Sequence, residues 1–360
     1  MDYKQRMGRV QASLEDSRLN ALLVTYLPNV RYLCGFTGSS AVLAITEHQA
    51  VLFTDGRYTQ QAHQEVRAAK IRIEKGKSAM ASATEWLRSQ LRIKRIGIEP
   101  AHLTIVERDS LSRGVPAGAR LVKAPPAIEE MRMMKDTSEI DAIRKACGLG
   151  CQLFKGLKKT VRAGISELQV AGGLEFKARA LGAEQMSFPT IIAGGTRSAL
   201  PHGRASQAKL PRRGFVVCDF GVILTGYCSD MTRTLHVGGA SAEERGVYEA
   251  VLEAQQAALE AVRPGKTVGE IDLAARKLLQ CRHLDKYFTH STGHGLGLEI
   301  HEAPRVAAGQ KDVLRPRMVI TVEPGVYLPG KFGIRIEDTV VVTETGCEIL
   351  TACSKNLITV

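Results

Sequence analysis

Through the first third of the chain, short apolar runs alternate with amphipathic stretches. Val- and Leu-rich runs at Ala21–Tyr26, Ala41–Thr46 and Ala50–Asp55 predict strands, and Thr59–Lys70 predicts a helix. Glu85–Arg92 reads as a second helix and Ile96–Ile98 as a further strand. This alternation predicts an α/β domain of two or three layers. Pro125–Pro126 punctuates its end, so the expected domains are 1–125 and 126–360.

The rest of the chain has another rhythm, and it occurs twice. Helical patterns at Ser138–Val161 and Ser166–Leu181 precede the β-run Gly214–Val237. Helical patterns at Ser241–Val262 and Thr267–Gln280 precede β-runs at Met318–Tyr327 and Gly333–Thr343. Capping pairs mark three of these starts: Ser138 with Asp141, Ser241 with Glu244, and Thr267 with Glu270. The expectation is an α+β domain of two like halves, each with two helices followed by antiparallel strands. The duplication is one of pattern, since no repeat is visible in the residues themselves.

Acidic residues inside the β-runs change the picture. If Thr225–Gly226 turns the first hairpin, paired positions sum to 451, so Asp219 faces Thr232 and Asp230 is its diagonal neighbour on the same face. In the second half Glu323 and Glu337 are symmetric about Gly330 within a turn-forming PGKFG stretch. A single acid could be a surface residue on an amphipathic strand. Four, paired in two hairpins and embedded in Val/Ile runs, imply convergence. Four like charges at close range require neutralisation, and two divalent cations supply it. An imidazole is at hand in His294, with glycines on both sides. Oxygen-rich ligation with one imidazole suits Mn²⁺, Co²⁺, Fe²⁺ or Zn²⁺, with Mn²⁺ the leading expectation.

Composition narrows the class. A chain of 360 residues, 44% hydrophobic and 24% charged, suits two globular domains. The net charge of +12 invites nucleic acid, but the basic residues are dispersed and aromatics are 5%, which argues against it. No apolar run approaches the ~20 residues of a membrane span, and the N-terminus lacks the apolar segment of a secretory signal. Eight scattered cysteines without a CxxC pair read as buried thiols in a reducing compartment, so a cytoplasmic location is expected. Glycine clusters at Gly35–Ser40 and in GHGLGL lack the lysine or the spacing of nucleotide loops.

The segments DFG…GYCSDMTRT, STGHGLGLEIHE, TVEPGVY and GIRIEDTV together resemble the pita-bread metallopeptidases, in the aminopeptidase P and prolidase branch. NVRYLCGFTGSSAVLAI and FTDGRYTQQA resemble the creatinase-like domain that precedes the catalytic domain there. The resemblance implies a creatinase-like α/β domain followed by a pita-bread domain with an internal pseudo-twofold. It implies Asp219, Asp230, His294, Glu323 and Glu337 as metal ligands, with Asp230 and Glu337 bridging two ions. It places His202 and His301 against substrate or intermediate, Arg305 against a substrate carboxylate, and Tyr327 near the site. Arg335, two residues before Glu337, would orient or compensate the carboxylates. His290 and His283 read as structural.

The implied chemistry is hydrolysis of the bond preceding proline in short peptides, with two ions activating a water and polarising the carbonyl. Glu323 would shuttle the proton, and His202 and His301 would donate to the developing oxyanion. The leading expectation is an Xaa-Pro aminopeptidase, with an Xaa-Pro dipeptidase (prolidase) as the alternative. A binding protein on a retired peptidase fold is the reading from another class. The front domain argues against a methionine aminopeptidase, and the complete acidic set against metal-free creatinase chemistry. The family tendency implies a homodimer.

Overall fold

The computed structural model describes residues 1–90 and 93–360, and the chain divides into two compact units, Met1–Arg132 and Met133–Val360. The expected junction at 125/126 falls just ahead of the helix Ala127–Met133.

The first unit is built on one six-stranded sheet. Its order is Lys70–Glu74, Ala50–Asp55, Ala41–Thr46, Ala21–Val24, Arg95–Ile98, Arg120–Lys123. The three central neighbours from 50–55 to 21–24 pair antiparallel, and the outer pairings are parallel. Parallel pairs need crossovers, and helices supply them. The helix Ala79–Ser89 buries Ala83, Trp86 and Leu87 with Val42, Val51 and Phe53 of the sheet.

Two expectations needed revision here. The helix expected over 59–70 stops at Glu65, and Lys70–Glu74 is an edge strand. Ala68 adopts φ 58°, which a continuing right-handed helix cannot contain. The helix expected over 85–92 begins earlier, where Ser78 caps it by accepting from Ala81 N. Positions 91 and 92 lie outside the described residues.

The second unit shows the expected twofold pattern. Helices Thr137–Leu157 and Glu167–Ala180 pack on the strands Gly214–Phe220 and Met231–Val237, with Leu153, Phe154, Val170 and Leu174 against Val216 and Leu235. Helices Ala242–Ala261 and Val268–Cys281 pack on Val319–Val322 and Asp338–Val342 in the same way, through Val251, Ile271 and Ile320. A third cluster joins the halves: Ile143, Cys147 and Tyr227 meet Leu296, Val319 and Val341.

All four helices open on capping boxes. The first uses Asp136 with Glu139, not Ser138 with Asp141; Ser138 Oγ instead donates to Asp136 Oδ1 at 2.6 Å. The fourth box, Ser166 with Gln169, is an amide variant that was not anticipated.

Both hairpins have the expected register. Thr225 and Gly226 have φ 50° and 84°, the positive pair that matches a two-residue turn to strand twist. Leu224 then pairs with Tyr227 and Asp219 with Thr232. In the second half Leu328 pairs with Phe332, Gly325 with Arg335 and Val322 with Asp338, all symmetric about Gly330. The ladders break at the acids: the strand Val319–Val322 ends before Glu323–Pro324, and Phe332–Arg335 ends before Glu337. Pro324 has no N–H to donate, which interrupts the sheet where a carboxylate must turn inward.

Close approach also constrains this region. A Cβ on Gly221 would lie 1.8 Å from Ser229 O, whereas Gly172, within the helix Glu167–Ala180, faces open space. Gly221→Ala is expected to lower unfolding free energy by about 1–3 kcal/mol through overpacking. Gly172→Ala should raise it by about 0.5–1 kcal/mol through helix propensity. Denaturant titration of both variants checks the pair; equal effects would contradict the assigned backbone contact.

Candidate metal centre

Asp219 lies near the end of the strand Gly214–Phe220, Asp230 follows the short strand Tyr227–Cys228, and Glu337 lies between the strands Phe332–Arg335 and Asp338–Val342. Carboxylate oxygens of these three buried residues lie within 4.8 Å of one another. His294, on the strand Gly293–Gly295, brings Nε2 to 3.6 Å from Asp230 Oδ2 and 3.4 Å from Glu323 Oε1. Asp219, Asp230 and Glu337 thus form one cluster, and His294 links Glu323 to it through Asp230.

Neighbours support one oxygen on two of the three clustered acids. Arg335 Nη2 donates to Asp219 Oδ2 at 2.5 Å, and Thr232 Oγ1 donates to Glu337 Oε2 at 2.8 Å. The other oxygens, Asp219 Oδ1 and Glu337 Oε1, are buried without a hydrogen-bond partner among the described residues, as is Asp230 Oδ1. A buried acceptor left unpaired is costly, and three aimed into one space need a common partner.

Electrostatics lead to the same conclusion. Burial, followed by repulsion from Glu337 and Asp219, holds the Asp230 carboxyl well above its usual range. Burial and then Glu323 and Asp219 do the same to Glu337, and burial with Asp219 pushes Glu323 up to about 8. Burial holds His294 down at about 4, so its ring is neutral. Its Nδ1 lies 3.0 Å from Gly295 O, a contact that requires the proton on Nδ1. Nε2 is thereby left as a lone pair facing carboxylate oxygens. Lone pairs and carboxylates turned towards one another fit a cation between them and fit nothing else in this chain.

A cavity of about 820 Å³ opens over this cluster. His202, His301 and Arg305 line it, and all three are exposed. The His301 ring stands edge-on to His294 at 4.4 Å, and burial, then His202, lowers its pKa. Arg305 lies directly opposite His294 across paired strands, and its guanidinium has no partner among the described residues. Phe188, Ile191 and Ile300 add an apolar wall.

Arg335 is buried and binds four groups: Asp219, Tyr327 Oη at 2.5 Å, Pro201 O at 3.0 Å and Thr232 Oγ1 at 3.1 Å. Burial opposes its charge, but Tyr327, Asp219 and Glu323 more than offset this and raise its pKa. Tyr327 is buried with its hydroxyl between Arg335 and His290, and it is not one of the lining residues. His290 does line the cavity, with Nε2 at 2.9 Å from Tyr327 Oη. Read alone it was a structural residue; its position four before His294 in HSTGH was the available signal. Thr232, Thr321 and Thr339 were also overlooked, and they hydrogen-bond Glu337, Glu323 and the Asp230 carbonyl.

Carboxylates and a neutral imidazole, gathered at the junction of two like α+β halves beneath an open cleft, define a metal-dependent hydrolase. The chain belongs to metallopeptidase family M24, which matches residues 141–344, and residues 6–134 match the creatinase/prolidase N-terminal domain. It is thus an enzyme with the pita-bread fold, and the family implies divalent metal. An Xaa-Pro dipeptidase of Pyrococcus horikoshii is 35% identical, over 98% of this chain and 99% of its own. Among solved structures, an Xaa-Pro dipeptidase from Bacillus anthracis superposes with TM-score 0.96 at 35% identity, covering 100% of both chains. An X-Pro aminopeptidase from Thermotoga maritima superposes with TM-score 0.90 at 37% identity, covering 95% of this chain and 98% of its own. Among the described residues no helix is long and apolar enough to cross a membrane.

The carboxylate shifts have a definite sign. Asp230, Glu323 and Glu337 have folded pKa values above their unfolded ones, so the metal-free fold retains protons that the unfolded chain releases. That stabilisation is complete below about pH 4 and is lost as pH rises through the folded values, about 8 for Glu323. A divalent ion must displace those protons, so its stabilising effect should grow from pH 6 to pH 8. At 100 times the dissociation constant the gain is about 2.7 kcal/mol, a rise in Tm of roughly 5–10 °C. Thermal melts of chelator-stripped protein with and without Mn²⁺ measure this; melting indifferent to metal at both pH values would refute the site.

Proposed function

We propose that this enzyme is an Xaa-Pro dipeptidase, acting on dipeptides with C-terminal proline through two divalent ions. Asp219, Asp230, His294, Glu323 and Glu337 would hold the ions, with Asp230 and Glu337 shared. The observation that carries the dipeptide reading is Arg305, whose guanidinium, without a partner among the described residues, stands on the cavity wall opposite His294. Partner Cα atoms in antiparallel strands lie roughly 4.5–5.5 Å apart. Arg305 therefore has reach to a carboxylate one residue beyond the bond being cut. Its planar pair of donors matches that group. The names of the Pyrococcus and Bacillus relatives support the same reading.

Divalent ions held at this centre would lower the pKa of a water and polarise the scissile carbonyl. The remaining work falls to the chain. Glu323, with Oε1 accepting from Thr321, has Oε2 free to take the water's proton and return it to the proline nitrogen. His202 and His301 donate to the oxygen on which charge develops. Arg335 keeps Asp219 oriented, and Tyr327 and His290 keep Arg335 in place. Phe188, Ile191 and Ile300 offer apolar surface to the substrate's side chains and ring.

The oxygen-rich ligand set supports Mn²⁺ as the resident ion, with Co²⁺, Fe²⁺ or Zn²⁺ compatible. Eight free thiols support a cytoplasmic location, and the family tendency supports a homodimer. A second reading, Xaa-Pro aminopeptidase, was the first expectation from sequence and is supported by the Thermotoga neighbour's name.

Initial rates on Ala-Pro and Ala-Pro-Ala under identical metal loading separate the two. The dipeptidase reading expects kcat/KM at least roughly 10-fold higher for Ala-Pro, as one charge-assisted hydrogen bond provides. Faster cleavage of the tripeptide would establish the aminopeptidase instead. Arg305→Ala should lower kcat/KM on Xaa-Pro dipeptides by roughly 10- to 150-fold while sparing pentapeptides. Equal losses on both substrates would remove the carboxylate clamp.

A further inference from the structure

Two thiols remote in sequence meet away from the metal centre. Cys151 lies in the helix Thr137–Leu157, and Cys353 lies in the segment between the strands Cys347–Ile349 and Ile358–Thr359. Cys151 Sγ donates to Cys353 Sγ at 3.2 Å, and both residues are free thiols. Both are partly exposed, and exposed Ala352 and Ser354 flank Cys353.

The other cysteines set the contrast. Cys34, Cys147, Cys218 and Cys228 are sealed in the core, and burial pushes their thiols up, away from reactivity. Cys353 behaves in the opposite way. Donation from Cys151 lowers its pKa, burial opposes this, and Arg233 lowers it further, to about 7. Arg233 also determines the position of this segment. It donates to the carbonyls of Thr351, Cys353 and Ser354, and from the same guanidinium to Asp338 Oδ1 and the Glu337 carbonyl.

We propose that Cys353 and Cys151 form a hydroperoxide-reactive dithiol, with Cys353 the attacking sulfur and Cys151 the resolving one. The Cys353 thiolate attacks a peroxide oxygen, the O–O bond breaks and Cys353 becomes a sulfenic acid, while the departing hydroxide or alkoxide takes a proton from solvent and leaves as water or an alcohol. Cys151 then attacks that sulfur, gives up its proton and displaces water, closing a disulfide. Two thiols lose two electrons and one hydroperoxide gains them, so no further reactant is needed. The bond fastens the segment held by Arg233 to the helix, and a thiol reductant reverses it.

The test uses the metal-loaded full chain, treated with hydrogen peroxide, quenched with an alkylating agent, digested without reduction and mapped by mass spectrometry. The expected result is a cross-linked peptide joining Cys151 to Cys353 that disappears with dithiothreitol. Oxidation of Cys353 should outpace that of the exposed Cys281 by roughly fivefold or more. Cys151→Ser should leave a sulfenic acid on Cys353 that a cyclic dione traps, and Cys353→Ser should abolish both products. Oxidation of Cys281 with Cys151 and Cys353 still alkylated, or equal rates at Cys281 and Cys353, would overturn the proposal. The map of the unsubstituted protein decides the matter even if a variant fails to fold.

Discussion

Four carboxylates turned towards one another inside a protein are a configuration that no arrangement of this chain alone can satisfy. Among the described residues Arg335 is the one buried guanidinium that donates to their carboxylates, and of the four acids it bonds Asp219 alone. The imidazole beside them is neutral and presents a lone pair. Repulsion of this kind would spread flexible loops apart. Asp219 is therefore borne within a strand and the other three acids beside strand ends, where ladders, helices and the interlocking core hold them regardless of the cost. The cluster uniting Ile143 and Cys147 with Val319 and Val341 has this consequence: it prevents the two halves from relaxing away from their shared charge.

The arrangement also shows why so many hydroxyls surround the centre. Thr232, Thr321 and Thr339 each support a ligand residue, and Thr232 serves both Glu337 and Arg335. A threonine in a strand adds β-propensity with one short, stiff donor, so it orients a carboxylate oxygen with little loss of side-chain freedom. Asp219, Glu323 and Glu337 then each have one oxygen held and one offered, while Asp230 is held through its main-chain carbonyl. Division of labour within a single side chain is what makes the cluster a binding site rather than a knot of mutual hydrogen bonds.

Much of this was legible in the residues, because hairpin register is a local property. A turn type at Thr225–Gly226 and a symmetric stretch about Gly330 suffice to place Asp219 against Thr232 and to bring Glu323 and Glu337 between the paired positions Val322–Asp338 and Gly325–Arg335. The linkage of His290 to Arg335 through Tyr327 was not legible, since it depends on which loop lies over which strand. The edge strand Lys70–Glu74 escaped notice because its KIRIE pattern is mostly charged and continues a helical stretch. Cys151 and Cys353 are separated by 202 positions, and no periodicity brings such a pair together.

The hairpin about Gly330 carries an implication for how this site can vary. Side chains in a strand alternate faces, so one residue added to or removed from the paired strands Gly325–Leu328 and Phe332–Arg335 forces a bulge or turns the residues beyond it to the other face. The tip at 329–331 lies outside the ladder and can change length by any number of residues without moving either acid. Drift is thus open at the exposed end of the hairpin and closed along its stem.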